Sequence, residues 1–532
     1  MVKVRLLAIA AAALIATPAM ADGTDVNWDM VAKIRDEGFN RSQVMKTIQH
    51  LTDVIGPRLS GSPQMKQANE WTRDKLTQWG LQNARLEAHD FGRGWHSNYT
   101  MVHMVSPREV QLQAYPVSWH PGTNGVVEGD VIRVTINNAQ DMEKYKGKLK
   151  GKILMVSPAR TINDDDPNNN FFRRLDEEGL KARSNYRVPA GVSRSRGIKA
   201  RLKRMQFQEK LDQFYVDEGA LAMVRSSRRG AMMSDASGYS YQVGKTPPLP
   251  AVSLAREHYN RLDRLMKAGE KVSLRMDVSV TFTDDDTTIY NTLADLPGTS
   301  DEIVLIGAHL DSWHLGDGAV DNAAGSSVAM EAMRILSALD YTPQRTIRIG
   351  LWSGEEQGLI GARQHVAQHY ADRPVSDDPD LADAPISWRK FNQWPIMTTD
   401  QYAKFSAYYN LDNGSGKIRG IYAQGNSAAA PIFAKWLEPF HDLGAETVTL
   451  NNTGGTDHLA FDAVGLPGFQ FIQDPLDYSS RLHHTQLDMF DHVYEKDLKQ
   501  AAVIMASFLY HTSEMDGLLP RKPMPQPETV KN

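Results

Sequence analysis

The stretch EIVLIGAHLDSWHLGDGAVDNAAG, residues 302–325, decides the fold class of this chain. Residues 302–308 are almost all apolar, which is typical of a buried strand in a sheet covered on both faces. His309 follows this strand, and Asp321 follows a glycine-rich loop. Residues 322–339 then carry apolar side chains at helical spacing, so Asp321 is predicted at a helix N-terminus, where the helix dipole favours a carboxylate. The stretch predicts an α/β fold with polar side chains at a strand end.

Three later segments repeat the pattern of a short apolar strand followed by an acid or a histidine. They are 346–352 (TIRIGLW) with Glu355 and Glu356, 405–411 (FSAYYNL) with Asp412, and 468–472 (GFQFI) with His484. In open α/β sheets the ligand site lies beyond the carboxyl ends of the strands. We therefore expect these side chains to converge with His309 and Asp321.

The residue types indicate a zinc site. Zinc binds imidazole nitrogen and carboxylate oxygen, and a catalytic zinc keeps one coordination position open. Two zinc ions need about five protein groups, one of which must bridge, and a carboxylate can bridge whereas an imidazole cannot. We assign Asp321 as the bridge. His309 and Asp412 then complete one ion, and Glu356 and His484 complete the other, so the predicted cofactors are two Zn²⁺ ions.

Three further carboxylates have predicted supporting roles. Glu355 is next to a ligand but is not used as one, which is expected of a general base acting on water. Asp311, two residues after His309, is predicted to accept the other ring N–H of that histidine. Asp488 could do the same for His484.

Six segments resemble those of the cocatalytic two-zinc exopeptidases that include aminopeptidase Y and glutamate carboxypeptidase. They are GAHLDSW (307–313), GAVDNAAG (318–325), WSGEEQGLIGA (352–362), YNLDNGSG (409–416), GGTDHLAF (454–461) and HHTQLD (483–488). The Ser-Trp of the first segment and the double histidine of the last are most similar to the carboxypeptidase Q (plasma glutamate carboxypeptidase) branch. The resemblance is strong over about residues 286–512 and loose upstream.

The resemblance implies the same five ligands, with Glu355 as base, and a cis peptide at Asp321-Asn322. It implies a three-layer α/β/α zinc-peptidase domain with a mixed central sheet, and an exopeptidase activity that uses a metal-activated water. One departure is that His483 stands where many members have a tyrosine. His483 and Tyr478 are therefore both candidates for oxyanion stabilisation, and either His483 or His484 could be the last ligand, with His484 favoured by the register of Thr485 and Asp488.

The chain divides into five predicted parts. Residues 1–21 are a secretory signal peptide, with Lys3 and Arg5 before an apolar run and Ala19-Met20-Ala21 as cleavage site. Residues 22–120 are the first part of the peptidase domain, and 121–285 are an inserted β-rich domain similar to the protease-associated domain. Residues 286–518 are the catalytic domain and 519–532 a tail. The protein is expected to be exported, to the periplasm or outside the cell.

Composition excludes several other classes. The net charge of -5 gives no reason to expect nucleic acid as a partner. The chain has no cysteine, so disulfides and thiolate zinc sites are impossible. No segment after the signal peptide is apolar enough to span a membrane. The basic residues within 181–204 could bind an acidic partner, but a solvated loop and helix face is the favoured explanation, because the stretch has little aromatic interleaving and the whole chain is acidic. A homodimer is compatible with the sequence.

The sequence does not decide which end of a peptide substrate the protein recognises. A carboxypeptidase needs a cation for the terminal carboxylate, and Arg481, Arg419 or Arg58 could supply it. An aminopeptidase needs a carboxylate for the terminal amine, and Glu355 could supply that. His458 could line the substrate pocket or be structural. The resemblance favours a carboxypeptidase or dipeptidase over an aminopeptidase. A non-catalytic protein of the same fold, or a single-zinc acyl transferase, fits the complete ligand set poorly.

Overall fold

The computed structural model describes residues 24–160, 174–186, 194–245, 247–382 and 384–527. The predicted signal peptide lies outside the described residues. The helices are α1 (Trp28–Asn40), α2 (Val44–Gln49), α3 (Pro63–Gln78), α4 (Ala139–Met142), α5 (Glu177–Ser184), α6 (Arg194–Asp217), α7 (Arg256–Lys267), α8 (Ala324–Ala338), α9 (Ile360–His369), α10 (Ile386–Arg389), α11 (Ala430–Leu437), α12 (His458–Asp462) and α13 (Glu495–Glu514).

The strands form two eight-stranded sheets and one short two-stranded ribbon. They are β1 (Gln82–Asp90), β2 (Gly94–Ser106), β3 (Val110–Gln111), β4 (Ala114–Pro116), β5 (Val127–Arg133), β6 (Lys152–Met155), β7 (Ala222–Ser226), β8 (Ala251–Leu254), β9 (Ser273–Thr283), β10 (Thr288–Leu296), β11 (Ser300–His309), β12 (Arg345–Trp352), β13 (Ala371–Asp372), β14 (Met397–Thr398), β15 (Phe405–Asn410), β16 (Ile418–Tyr422), β17 (Thr447–Thr449) and β18 (Gly468–Gln473).

The first sheet is mixed and has the order β1-β10-β12-β11-β15-β18-β16-β17. Its centre, β12-β11-β15-β18, is parallel throughout. The carboxyl ends of these four strands therefore lie at one edge of the sheet. The strand bounds agree closely with the predicted runs, because short continuous apolar segments bounded by turn residues favour strands buried on both faces.

Helices cover both faces of this sheet. Val304 and Ile306 of β11 pack into a core that includes residues of α1, α3, α8 and α13. Leu305, on the opposite face of the same strand, packs into a smaller core with residues of α9 and α12. Successive side chains of a strand point to opposite faces, so β11 is buried on both sides. The predicted three-layer α/β/α domain with a mixed central sheet is confirmed.

The second sheet has the order β3-β2-β9-β5-β6-β7-β8-β4. Its centre, β5-β6-β7-β8, is parallel, and β9 joins it to β2 by antiparallel pairing. Residues 94–116 supply three of its strands, so the sheet begins before the domain boundary expected at residue 121. Its likeness to a protease-associated domain stays a prediction. Among the described residues, no helix combines the length and apolarity needed to cross a membrane.

Candidate metal centre

Three of the predicted ligands meet at the carboxyl edge of the first sheet. His309 is the last residue of β11, and Asp412 follows β15. Asp321 lies in the turn Ala319–Ala323 just before α8, where its own backbone is not helical. Nε2 of His309 lies 3.3 Å from Oδ1 of Asp321 and 3.3 Å from Oδ1 of Asp412. The peptide between Asp321 and Asn322 is cis, as the resemblance implies.

The other two predicted ligands lie on the opposite side of Asp321. Nε2 of His484 is 2.9 Å from Oε2 of Glu356 and 3.4 Å from Oδ2 of Asp321. Nε2 of His483 is farther away, 3.9 Å from the same Asp321 oxygen. The two carboxylate oxygens of Asp321 thus face two separate groups of donors, which is the arrangement a bridging carboxylate needs.

Donor atoms of these ligands are buried without hydrogen-bond partners among the described residues. The atoms are Nε2 of His309, Oδ2 of Asp321, Oε1 of Glu356 and Oδ1 of Asp412. Buried polar atoms are nearly always hydrogen-bonded, because an unsatisfied group costs about 1–3 kcal/mol. Nitrogen and carboxylate oxygen are also a donor set that divalent metal ions accept. The residues present therefore fit a metal site.

The electrostatics of the centre agree with this fit. Burial, followed by repulsion from Asp321, raises the pKa of Glu356 well above its usual range. Burial, together with Asp412 and Asp457, does the same to the pKa of Glu355, against the opposing effect of His309. Several carboxylates in one water-poor site repel each other unless a cation balances them. A bound divalent ion would supply such a balance.

Asp311 supports the centre by contacts with His309 and with the loop that carries both glutamates. The Nδ1 atom of His309 is 2.9 Å from the backbone carbonyl of Asp311 and 3.6 Å from its carboxylate. The carboxylate accepts hydrogen bonds from the backbone amides of Glu355 and Glu356 and from the Ser60 hydroxyl. Asp311 therefore orients the His309 ring and also fixes the loop that carries both glutamates.

Asp488 has partners other than the expected His484. Its two carboxylate oxygens accept the backbone N–H groups of Val320 and Asp321, at 2.6 and 3.0 Å. Burial and the nearby Asp321 carboxylate raise the pKa of Asp488 to about 7. Asp488 thus holds the backbone of the bridging residue in place.

The loop with the double histidine is held by the connection between β7 and β8 of the second sheet. The Ala236 amide donates to the carbonyl oxygen of His484 at 2.7 Å, and the Arg229 guanidinium donates to the carbonyls of Ser479 and His483. His484 has a φ of 61°, in the left-handed region that non-glycine residues rarely adopt. These contacts keep His484 in that conformation. No pattern in the sequence predicts this support, because the contacting residues lie about 250 positions apart.

A cavity of about 1370 Å³ opens over the centre. Tyr478 and His483, the oxyanion candidates, line it together with Asp321, Glu355, Glu356, Asp412 and His484. The second sheet and its connections add Trp119, Tyr239 and Tyr241. Arg201 of α6, part of the predicted basic segment, also lines it and lies over the ring of Trp388. Both sheets therefore contribute walls to one site.

The arginines expected to bind a substrate carboxylate are engaged elsewhere. Arg58 is fully buried and donates to five backbone carbonyls, which include those of Leu310 and Gly318. Arg419 pairs with Asp474, and Arg481 pairs with Asp477 at 2.6 Å. None of the three is among the residues that line the cavity. That one of them meets the substrate stays a prediction, and the structure gives it no support.

His458 is also away from the cavity. It is fully buried at the start of α12, where Nε2 lies 3.3 Å from the Thr453 carbonyl, and burial lowers its pKa to about 4. Its neighbour Asp457 is buried beside the centre, and neither of its carboxylate oxygens has a hydrogen-bond partner among the described residues. Burial raises the pKa of Asp457 well above its usual range. The motif that contains both residues indicated a functional segment but not which of them faces the centre.

Arg363 is a charged residue of the cavity wall that the sequence did not predict. It lies on α9, eight positions after Glu355, and lines the cavity with its side chain half-buried. Its guanidinium has no ion pair or hydrogen bond within the described parts of the chain. Burial lowers its pKa, whereas Asp457 and Glu355 act in the opposite direction.

Comparison with known proteins identifies a peptidase segment. Residues 291–509, about two fifths of the chain, match the family model described as Peptidase family M28. The chain is a metallopeptidase, as predicted. Carboxypeptidase Q of Mus musculus is 25% identical over 500 residues, which are 93% of this chain and 90% of that protein. The expected resemblance to the carboxypeptidase Q branch is confirmed.

Aminopeptidases are also similar to this chain. Aminopeptidase YwaD of Bacillus subtilis (strain 168) is 24% identical over 235 residues, 43% of this chain and 44% of that protein. The solved structure of a peptidase M28 precursor from Shewanella amazonensis has a TM-score of 0.64 at 23% identity, covering 94% of this chain and 98% of that one. BSAP, a zinc aminopeptidase from Bacillus subtilis, has a TM-score of 0.55 at 16% identity, covering 89% and 95%. The structural likeness supports the fold.

Proposed function

We propose that this M28 peptidase is an exported, zinc-dependent exopeptidase that hydrolyses dipeptides or short peptides from the carboxyl end. Two zinc ions would be held by His309, Asp321, Glu356, Asp412 and His484. His309 and Asp412 would hold one ion, Glu356 and His484 would hold the other, and Asp321 would be shared between them.

The observation that carries this proposal is the set of buried, unpartnered donor atoms on both sides of Asp321. A hydrogen-bonded cluster without metal would satisfy those atoms internally. Zinc suits the donors because each side offers one imidazole and a terminal carboxylate in addition to the bridge. When bound, such ions polarise a carbonyl and lower the pKa of a water molecule.

The chain's own groups then supply proton transfer. Glu355 faces the cavity but is not needed as a ligand, so it takes a proton from the attacking water and later gives it to the leaving amine. The water attacks directly, and no acyl-enzyme forms. Tyr478 and His483 line the same cavity, and either N–H or O–H can donate to the oxyanion that develops on the scissile carbonyl.

Arg363 supports recognition of a carboxyl end. It is a half-buried cation in the cavity wall, close enough to Glu355 for the two charges to interact. Arginine binds carboxylates through paired, planar hydrogen bonds. A short substrate whose terminal carboxylate meets Arg363 would present its last peptide bond near the metal centre. The similarity to proteins named carboxypeptidase Q over most of the chain points the same way.

Aminopeptidase activity is the second candidate. It is favoured by the similarity to aminopeptidase YwaD and by the cluster of carboxylates at the centre, which could hold a terminal ammonium group. Export is proposed from the signal-like N-terminus, with periplasm and extracellular space as the two destinations.

Hydrolysis of a substrate panel tests the proposal. The panel contains free dipeptides, amino-terminally blocked dipeptides, their carboxyl-amides and aminoacyl-nitroanilides, each with and without a chelator. We expect chelator-sensitive cleavage of blocked dipeptides and little cleavage of their amides. Cleavage of only free dipeptides would make the protein a dipeptidase, and cleavage of nitroanilides alone would establish the aminopeptidase alternative. No cleavage after zinc is added would contradict the proposed function.

A further inference from the structure

A second cluster of metal-binding side chains lies on the far face of the catalytic sheet. Glu87 and His89 lie two residues apart on the same face of the edge strand β1. His365 and His369 are four residues apart on α9. Glu87, His89 and His365 are buried, and the side chain of His369 is 30% exposed. None of these residues takes part in the proposed reaction.

Their placement breaks the usual pattern of a half-buried strand. The inward positions of an edge strand normally carry apolar residues, yet Glu87 and His89 point inward and Ala88 points to solvent. The facing surface of α9 presents two imidazoles at positions that share one helix face. Burying this many polar groups is costly unless they are all satisfied or bind an ion. The arrangement therefore calls for a ligand or a complete hydrogen-bond network.

The hydrogen bonds do not complete such a network. Oε2 of Glu87 has three nitrogens within 3.2 Å: Nε2 of His89 at 3.0 Å, Nδ1 of His365 at 2.8 Å and Nδ2 of Asn291 at 3.2 Å. A carboxylate oxygen offers about two lone pairs, so the three donors exceed its capacity. His89 Nε2 is also only 2.8 Å from Asn291 Nδ2 and cannot both accept there and donate to Glu87.

Donor atoms from Glu87, His365 and His369 all lie within 4.8 Å of one another. Nε2 of His369 is 2.6 Å from the second Glu87 oxygen, Oε1. Ligand atoms around a tetrahedral zinc are about 3.3 Å apart, given bonds of about 2.0–2.2 Å. The observed Glu87–His365 and Glu87–His369 separations of 2.8 and 2.6 Å are shorter than that value, so the side chains would move apart by about half an ångström or more to admit an ion. The exposed part of the His369 side chain would give the ion a path from solvent.

We propose that Glu87, His365 and His369 bind a structural transition-metal ion of the zinc type, separate from the catalytic centre, with His89 orienting Glu87. Two imidazoles and a carboxylate suit such an ion, and the absence of cysteine excludes a thiolate site. The ion would tie β1 to α9. Asn291 links the same cluster to the catalytic loop, because its side chain accepts from the Ser353 amide and donates to the Gly361 carbonyl.

Metal content measured by mass spectrometry on the full-length mature protein tests this site. The variants are His365→Gln/His369→Gln at the new site and Asp321→Asn/Asp412→Asn at the catalytic centre. A control variant, His103→Gln/His441→Gln, removes two histidines that lie outside both clusters. After equilibration with buffered zinc and desalting, we expect the first variant to hold one equivalent less than the control. The catalytic-centre variant should keep one equivalent. If the first variant matches the control, or the catalytic-centre variant holds no metal, the proposal is overturned.

A spectroscopic measurement covers the case in which His365→Gln/His369→Gln does not fold. Cobalt(II) is added to the Asp321→Asn/Asp412→Asn variant after chelation, and visible absorption is recorded. We expect a saturable band at one equivalent with the intensity of low-symmetry, four-coordinate cobalt. An unchanged spectrum up to several equivalents would overturn the site whether or not the catalytic centre binds zinc.

Discussion

Nε2 of His484 lies 2.9 Å from Oε2 of Glu356, so these two residues form a contact while the adjacent Glu355 stays outside it. Glu355 and Glu356 follow each other in the chain, but the loop held by Asp311 directs them to different neighbours. The two glutamates therefore have separable roles, and substitution of each should give a different result.

Glu355→Gln should abolish turnover while the metal is retained. Removal of a general base lowers kcat by roughly 100- to 10,000-fold, and glutamine preserves the shape of the side chain. Glu356→Gln should instead lower the metal content as well as activity. The measurements are kcat on a cleaved peptide and zinc stoichiometry of the same preparations. Equal metal loss in both variants would contradict the division of roles.

Asp488→Asn should weaken metal binding although it leaves every predicted metal ligand unchanged. The Asp488 carboxylate accepts the backbone N–H groups of Val320 and Asp321. An asparagine side chain offers only one oxygen for these two donors. Loss of such outer partners typically costs 10- to 100-fold in metal affinity. Competition with a chromogenic chelator measures that affinity. Asp491→Asn, at an exposed position nearby, is the control and should behave as wild type.

Arg363→Gln should reduce kcat/KM for blocked dipeptides by about 10- to 100-fold, which corresponds to the loss of a charge-assisted hydrogen bond of about 1.5–3 kcal/mol. Arg363→Lys should recover part of this loss, since it keeps the charge but not the planar fork. Substrates with an amidated carboxyl end serve as the control. If Arg363→Gln slows the amides as much as the acids, Arg363 does not bind the carboxylate.

His511 should make the protein less stable in mild acid. Its Nδ1–H donates to the Ser507 carbonyl and Nε2 accepts the Asn27 amide, so the native ring is neutral, and burial lowers its pKa to about 4. The unfolded chain binds the proton below about pH 6.5. Stability contributed by the neutral ring is therefore present above pH 6.5 and is lost, by up to about 3 kcal/mol, as the pH falls towards 4.

The variant His511→Gln isolates this effect. Glutamine does not titrate, so its midpoint of chemical unfolding should fall less between pH 7 and pH 4.5 than that of wild type. His441→Gln, at an exposed position, should keep the wild-type pH response. Parallel pH curves for His511→Gln and wild type would contradict the assignment of a neutral buried ring.

The parts of the fold that the sequence predicts are those in which a local pattern has one physical solution. The short apolar run 302–308 is typical of a central strand, and residues placed directly after such strands meet at one edge of the sheet. His309 and Asp412 were predictable for this reason. The strand bounds differ from the prediction by one or two residues.

The parts that the sequence does not predict depend on long-range contacts. The Ala236 amide that holds His484, and the carboxylate of Asp488 that holds Asp321, are partners only after the chain has folded. Arg363 lies in a helix whose sequence gives no sign of a cavity. Glu87 and His365 are separated by 278 positions, so neither the alternation in β1 nor the spacing in α9 indicates a shared site on its own.

Zinc-edge anomalous diffraction from crystals of the zinc-loaded protein tests the central claim most directly. We predict two peaks at the carboxyl edge of the sheet, about 3.5–4 Å apart, with Asp321 between them. His309 and Asp412 should contact one peak, and Glu356 and His484 the other. A single peak, or two peaks that Asp321 does not bridge, would contradict the proposed two-zinc centre.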